Sequence, residues 1–547
     1  MNAEAIINFT QSLRGPVFGR EHPEYDEARK LYNGMIDKQP LLMARCADVA
    51  DVMAAVNFGR DNGLLIAIRG GAHNGPGLGS VDDGLVIDLS TIRGVRVDPV
   101  ARTARVGAGC TQGDLDHATH AFGLATPAGI VSTTGIAGLT LSGGHGYLSR
   151  KYGLTIDNLL EADVVLADGS FVTASQDQNS DLFWALRGGG GNFGVVTSFL
   201  YRLHPVTTVF AGPIAWDQQH ARTIMQRYRE LLPEAPEDLG IFLGLKTIPS
   251  SPPFPQELWG RRFCLLMACY NGTEEAGRTA LAPLLGDLPE PWFNWMGTMP
   301  YPALQSMFDG FYPKGMQWYW RGDFVKELSD AAVEVHLQQA EKSPSELSLM
   351  HLYPIDGAVH RVGSGDTAWS CRDATWSMGH RRDRSEPAES GPDNALDQSL
   401  LGSGAPVQPR RRVPEFYDGR RGRGARQGRL RRELRPARRD EEEIRPGQPV
   451  PGKPQHPTGA LSGRRHAPGS PRLQPGRPSG SRCHCRLGRA RPARSEYCPP
   501  DVARRTSLWK NAFAENGEPT SAVRFRQGLQ LIQALRPGSP AAAVRHQ

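Results

Sequence analysis

Cysteine is sparse, with eight residues in a chain of 547. That excludes a disulfide scaffold, which needs far denser cysteine. Long apolar runs are missing too. Nothing approaches the ~18–20 apolar residues of a membrane-spanning helix, so no membrane partner is expected. Residues 1–15 lack a basic stretch followed by an apolar core. No secretory signal is read there, and a cytoplasmic address is expected. Cys483-His484-Cys485 with Cys498 falls short of a zinc-ligand set, so no metal is expected.

An even charge distribution is also lacking. The formal net charge is +6, which taken alone suggests an acidic partner such as nucleic acid. Its location removes that inference. Residues 1–378 carry 29 basic and 41 acidic side chains, whereas residues 379–547 carry 34 basic and 16 acidic. The front piece is acidic and the rear piece basic. No nucleic-acid partner is expected, because the positive balance lies in Arg- and Gly-rich text of the kind that shifted GC-rich codons produce.

What is present begins with alternating periodicities. Helical spacing marks 48–62, 113–121 and 181–186, and apolar strand runs mark 64–68, 85–89 and 195–203. Two hairpins are predicted, 95–106 around Asp98-Pro99 and 161–174 around Asp168-Gly169. From about 206 to 375, amphipathic helices at 221–232 and 329–340 alternate with strands at 242–246, 263–270 and 347–352. The class is α+β, with a second α+β domain built on an antiparallel sheet carrying helices on one face. After Met378, Arg, Gly, Pro and Ser dominate and periodicity stops, the composition of a disordered segment. One amphipathic helix is expected over 521–535.

Three glycine-rich blocks carry the chemistry. Arg69-Gly70-Gly71-Ala72-His73-Asn74-Gly75 follows a strand, where glycines let backbone N–H groups turn toward an anion. It is not a Rossmann fingerprint, because no helix follows directly and the spacing differs. The second block runs from Pro127 to Gly146 and includes Gly129, Val131, Thr134, Gly135, Gly138, Ser142, Gly144 and His145. Few helices or strands tolerate so many small residues, and a flat ligand lying on the backbone would account for them. The third, Arg187 to Gly194, leads into Val195 and Val196.

Residues 38–207 resemble the FAD-binding domain of the vanillyl-alcohol oxidase/p-cresol methylhydroxylase (PCMH) superfamily, and within it the berberine bridge enzyme-like oxidases. The likeness rests on the first block, on Ser149-Arg150-Lys151-Tyr152-Gly153-Leu154 with Asp157-Asn158, and on Asp181 to Gly194. Residues 208–378 resemble the family's substrate domain through Asp366-Thr367-Ala368-Trp369 with Arg372. Residues 1–37 form an N-terminal segment.

The resemblance implies FAD, bound covalently at the flavin 8α-methyl by His73. It implies that Arg69, Gly70, Gly71, Ala72, His73, Asn74 and Gly75 wrap the pyrophosphate. Gly129 to Gly146 would lie along the flavin and its ribityl chain, and Val195 and Val196 would meet the cofactor through their backbone. Many relatives add a second link through cysteine where this sequence has Val131, so one covalent bond is expected. Thr134 falls where relatives control oxygen access. The implied reaction is oxidation of a small molecule. Hydride leaves a C–H next to a hydroxyl or amine for flavin N5, and oxygen or another acceptor then reoxidises the flavin. No catalytic base is named.

Relatives close with a motif resembling G-G-x-Y-x-N-F and a stretch resembling K-Y-D-P-x-N-L-F, and neither stands here. Back-translating residues 406–419 and reading one base later permits Pro-Phe-Asn-Leu-Gly-Gly-Gly-Tyr-Pro-Asn-Phe-Met-Met. Residues 441–457 permit Lys-Lys-Lys-Tyr-Asp-Pro-Asp-Asn-Leu-Phe in the same frame. A frame shift after Met378 is therefore expected, and resequencing across codon 379 tests it. The alternative function is a non-catalytic or unstable FAD-domain remnant that lacks the tyrosine motif.

Overall fold

The computed structural model describes residues 3–343 and 345–383. Residues 384–547, which hold most of the basic rear piece and the helix expected over 521–535, lie outside the described residues.

Asp48 shows why the first long helix begins where it does. Its carboxylate accepts from the Asp51 N–H and caps helix Val49–Asp61 (α1). Gly63, in the left-handed conformation, follows its end. The helix lies between Leu42–Arg45 (β2) and Ile66–Arg69 (β3), which with Val17–Gly19 (β1) and Leu85–Asp88 (β4) form a sheet ordered β1-β2-β4-β3. β2, β4 and β3 are parallel, so crossovers such as α1 are required.

A second sheet is wholly antiparallel. Val95–Asp98 (β5), Thr103–Gly107 (β6), Leu159–Val165 (β7), Phe171–Ser175 (β8) and Val195–Arg202 (β9) take the order β5-β6-β9-β7-β8. Helix Gln112–His120 (α2) starts at a capping box between Thr111 and Asp114, and a short helix, Ile136–Leu141 (α3), follows. Val52, Ile87, Val106, Val164 and Phe199 knit both sheets into one core.

The third sheet spans Thr208–Asp217 (β10), Leu239–Thr247 (β11), Arg262–Tyr270 (β12), Trp318–Val325 (β13), Leu349–Pro354 (β14) and Trp376–Asp383 (β15). Behind the short edge strand Phe293–Asn294, the order is β10-β12-β11-β14-β15-β13, all antiparallel. Alternation divides its two faces. Ile241, Leu243 and Leu245 of β11 and Cys264, Leu266 and Ala268 of β12 pack on Ile224, Met225 and Tyr228 of helix Ala221–Leu231 (α4). Helices Glu274–Leu285 (α5) and Asp330–Glu341 (α6) complete that layer. The class is α+β, with helices on one face of the third sheet, as the periodicities imply.

Two buried ion pairs fasten this sheet to the first two. Arg150 donates to Asp356 at 2.7 and 3.1 Å and also to the carbonyls of Ala235, Pro236 and Leu239. Arg372 donates to both oxygens of Asp157, at 2.6 and 2.8 Å, and to Thr367 Oγ1 at 2.9 Å. The Trp369 ring covers Gly143, where a Cβ would sit 2.9 Å from the indole. The signature residues 149–158 and 366–372 thus act as brackets. Among the described residues no helix is long and apolar enough to cross a membrane.

Candidate cofactor and substrate site

β3 carries the chain into the first glycine-rich block. Ile68 and Arg69 still pair with Ile87 and Asp88, and the backbone then leaves the sheet. Gly71 crosses Gly135 so closely that a Cβ on either would strike the other's backbone. Ala72 is left-handed, with φ +61°, a conformation few non-glycine residues adopt. The N–H groups of Gly71, Ala72, Asn74 and Gly75 donate to no protein acceptor among the described residues. Their carbonyls differ: Ala72 O accepts from Tyr32 N–H at 3.1 Å, and Gly75 O from Asn33 Nδ2 at 2.9 Å. Successive free N–H groups around a left-handed residue form an anion-binding concavity. That donor set fits the pyrophosphate of a dinucleotide.

His73 lies beside this concavity. Its ring stacks on Tyr32 with centroids 3.9 Å apart and planes 18° apart. Tyr32 donates through its hydroxyl to Tyr312 O at 2.7 Å, and Asn33 exchanges hydrogen bonds with the Trp318 backbone. The loop is thereby held by the third-sheet module as well as by its own sheet.

Arg69 is held by backbone carbonyls. Its guanidinium is buried and donates to the carbonyls of Ala28, Arg29 and Gly79, so the side chain turns away from the concavity. Asn74 Oδ1 accepts from Leu78 N–H and shapes the following turn.

The second block interlocks with 110–113. Gln112 N–H donates to Thr134 O, Gly113 N–H to Ser132 O, Ile136 N–H to Cys110 O, and Gln112 Nε2 to Gly129 O. The small-residue pattern argued against a helix here, yet α3 rises inside it. Ile136, Ala137 and Thr140 bury one face of that helix. On the other, Gly138 has no neighbour within 4 Å of where a Cβ would stand, which leaves room for a ligand. Gly144 and Gly146 are different. A Cβ would meet Thr155 and Leu139 at the former and the Ala128 carbonyl at the latter, so packing alone accounts for them. Ser142 N–H ends the helix on Leu139 O. Val131 packs on the cluster of Tyr32, Tyr312 and Trp318. Cys110 is buried, and desolvation pushes its thiol up to about 11.

Val195 and Val196 pair with Val165 and Val164, and their side chains enter the shared core. Pairing of β9 with β6 begins only at Ser198, so on that side the backbone of both valines lies beyond the ladder.

His145 leads to the third sheet. Its ring meets Tyr353 edge-on at 5.0 Å, and desolvation pushes its imidazole down to about 4, so it is neutral at pH 7. Tyr353 contacts Phe242 at 4.4 Å and His351 at 4.6 Å. Phe242, His351, Tyr353 and Ile130 line a cavity on the face of the sheet opposite α4, α5 and α6. Sequence reading missed this cavity. Its signal was the alternation at 242/244/246, 263/265/267 and 349/351/353, masked because the opposite face is equally apolar.

Comparison with known proteins bears on the family and the fold. The family model described as an FAD binding domain matches residues 40–175. An FAD-linked oxidoreductase of Dictyostelium discoideum is 34% identical over 370 residues, covering 66% of this chain and 78% of the relative. (R)-6-Hydroxynicotine oxidase of Paenarthrobacter nicotinovorans is 39% identical over 206 residues, covering 38% and 45%. Among solved structures, 6-hydroxy-D-nicotine oxidase from Arthrobacter nicotinovorans superposes with a TM-score of 0.64 at 24% identity, over 74% of this chain and 89% of that one. A chitooligosaccharide oxidase gives 0.66 at 23% identity, over 76% and 91%. At such identities the superpositions establish the fold.

Proposed function

The chain belongs to the FAD-linked oxidoreductases, and from that premise we propose that it holds FAD covalently through His73 and oxidises a small molecule at a C–H beside a hydroxyl or amine. Oxygen or another acceptor takes the electrons. Bound there, FAD supplies the two-electron chemistry. The chain's own part is binding, orientation and exclusion of water. The free N–H groups of Gly71, Ala72, Asn74 and Gly75 receive the pyrophosphate. Tyr32 fixes the plane of the His73 imidazole. The open face at Gly138 admits a flat ring system, and the rings of Phe242 and Tyr353 keep water from the adjoining cavity.

The observation that carries this reading is the free N–H run beside His73, in a chain whose family is FAD-linked. Intact mass after denaturation tests it. Wild type should retain one FAD and His73→Ala none, with its flavin found in the supernatant. Flavin released from wild type by acid precipitation would sink the covalent bond while leaving FAD binding intact.

The remnant reading rests on one feature of the sequence, the absence of the family's closing motifs from 379–547 as written. It predicts a colourless or aggregated product. A yellow protein bleached by substrate rejects it.

A further inference from the structure

The cavity on the third sheet is walled by alternate residues of three strands. β12 presents Leu265 and Met267, β11 presents Phe242, and β14 presents Tyr353. A second set of rings closes it from outside the sheet. Phe254 stacks near Trp295 at 5.9 Å and lies 6.0 Å from Phe311. Polar groups on the lining are few. Lys246 donates to the Glu346 carbonyl at 2.6 Å, and its ammonium lies 5.7 Å from the Tyr312 ring centre. The cavity adjoins the second glycine-rich block: Ile130 of that block lines it, and His145 touches the lining residue Tyr353.

We infer that the substrate is a flat, largely apolar molecule bearing an aromatic ring, held with its oxidisable C–H toward Ile130 and Tyr353. This rests on the FAD-oxidoreductase reading for the reaction, but the choice of class rests on the walls. A carbohydrate carries a hydroxyl on nearly every carbon. Against Phe and Leu walls those hydroxyls lose water without gaining partners, at a cost of roughly tenfold in affinity for each one buried. An aromatic ring loses nothing there and stacks on rings already held in place. Ring walls supply orientation without the directional hydrogen bonds that a sugar requires.

The test uses the full chain as purified, titrated calorimetrically with 4-phenylpyridine, an unreactive apolar probe, and with cellobiose. Flavin absorbance is recorded on the same samples. 4-Phenylpyridine should bind at least about tenfold more tightly than cellobiose. Leu265→Glu should weaken it by about tenfold or more, because a carboxylate is placed against the ring, while the volume-conserving Leu265→Met stays within about threefold. Circular dichroism melts on both variants separate loss of binding from loss of fold. Tighter binding of cellobiose overturns the inference, and so does a folded Leu265→Glu that binds 4-phenylpyridine as wild type does. A colourless protein showing the predicted binding pattern would defeat the flavin reading and leave the cavity assignment standing. A yellow protein that ignores 4-phenylpyridine would do the reverse.

Discussion

Asp116 sits on α2, buried where the FAD-type module meets helix Tyr301–Gln305 of the third-sheet module. Gln305 Nε2 donates to it at 3.4 Å. Desolvation raises its carboxyl to about 7, against ~3.9 in an unfolded chain. Below pH 4 both states hold the proton and the group contributes nothing to the pH dependence. Between pH 4 and 7 the folded state keeps a proton that the unfolded state has released, so stability falls as pH rises. The fall levels off above pH 7 and totals on the order of 4 kcal/mol. Asp116→Asn should flatten this slope. Urea midpoints at pH 5 and pH 8 check it, and a wild-type protein equally stable at both would contradict the argument. Arg150 and Arg372 teach a related lesson. Both stand in the stretches that carried the family resemblance, yet they hold modules together through buried carboxylates. A signature motif is not necessarily a ligand contact.

At the scale of elements, α3 separates cradle glycines from packing glycines. Gly138 lies mid-helix with open space where a Cβ would stand. By helix propensity, Gly138→Ala should stabilise the flavin-free protein by up to ~1 kcal/mol. The same methyl intrudes on the face where the flavin is proposed to lie, so FAD retention should fall. Thermal melts of flavin-free protein and the 450 nm absorbance per chain measure the two effects separately. Gly144→Ala should instead destabilise both forms, since Thr155 and Leu139 already fill that space. Much at this scale was legible. Asp48 and Asn62-Gly63 bracket α1, and Asp168-Gly169 turns one hairpin, because caps and tight turns are local. The cavity face was not legible. Phe242 and Leu243 are both apolar, and alternation cannot say which one meets helices and which one a ligand.

Across the whole molecule, the third sheet closes only through its last described strand. β15 lies between β14 and β13, pairing Met378 with Leu352 on one side and with Asp323 on the other. Ending the chain at Thr375 would leave two long strand edges unpaired and expose Leu352 and Met350 from the helix-side core. Such a chain should precipitate on expression while the 547-residue chain does not. Fractionation of the two products side by side checks this. β15 also spans position 379, beyond which the sequence becomes basic. At that position a glycine is required by the pairing itself, because a Cβ on Gly379 would strike the His351 ring on β14.

The sequence by itself determined the α+β class, the local elements and the three glycine-rich blocks, because caps, turns and small-residue runs act over a few residues. It also showed, through charge, that the positive balance belongs to the rear piece. Only the tertiary structure decided which glycines are hemmed in by packing and which have open space beside them, that Arg69 bonds to the Ala28, Arg29 and Gly79 carbonyls, and that an aromatic cavity adjoins the second glycine-rich block. Those outcomes depend on which strands become neighbours. Ile130 reaches Phe242 and Tyr353 through contacts more than a hundred residues apart, and no local rule specifies them.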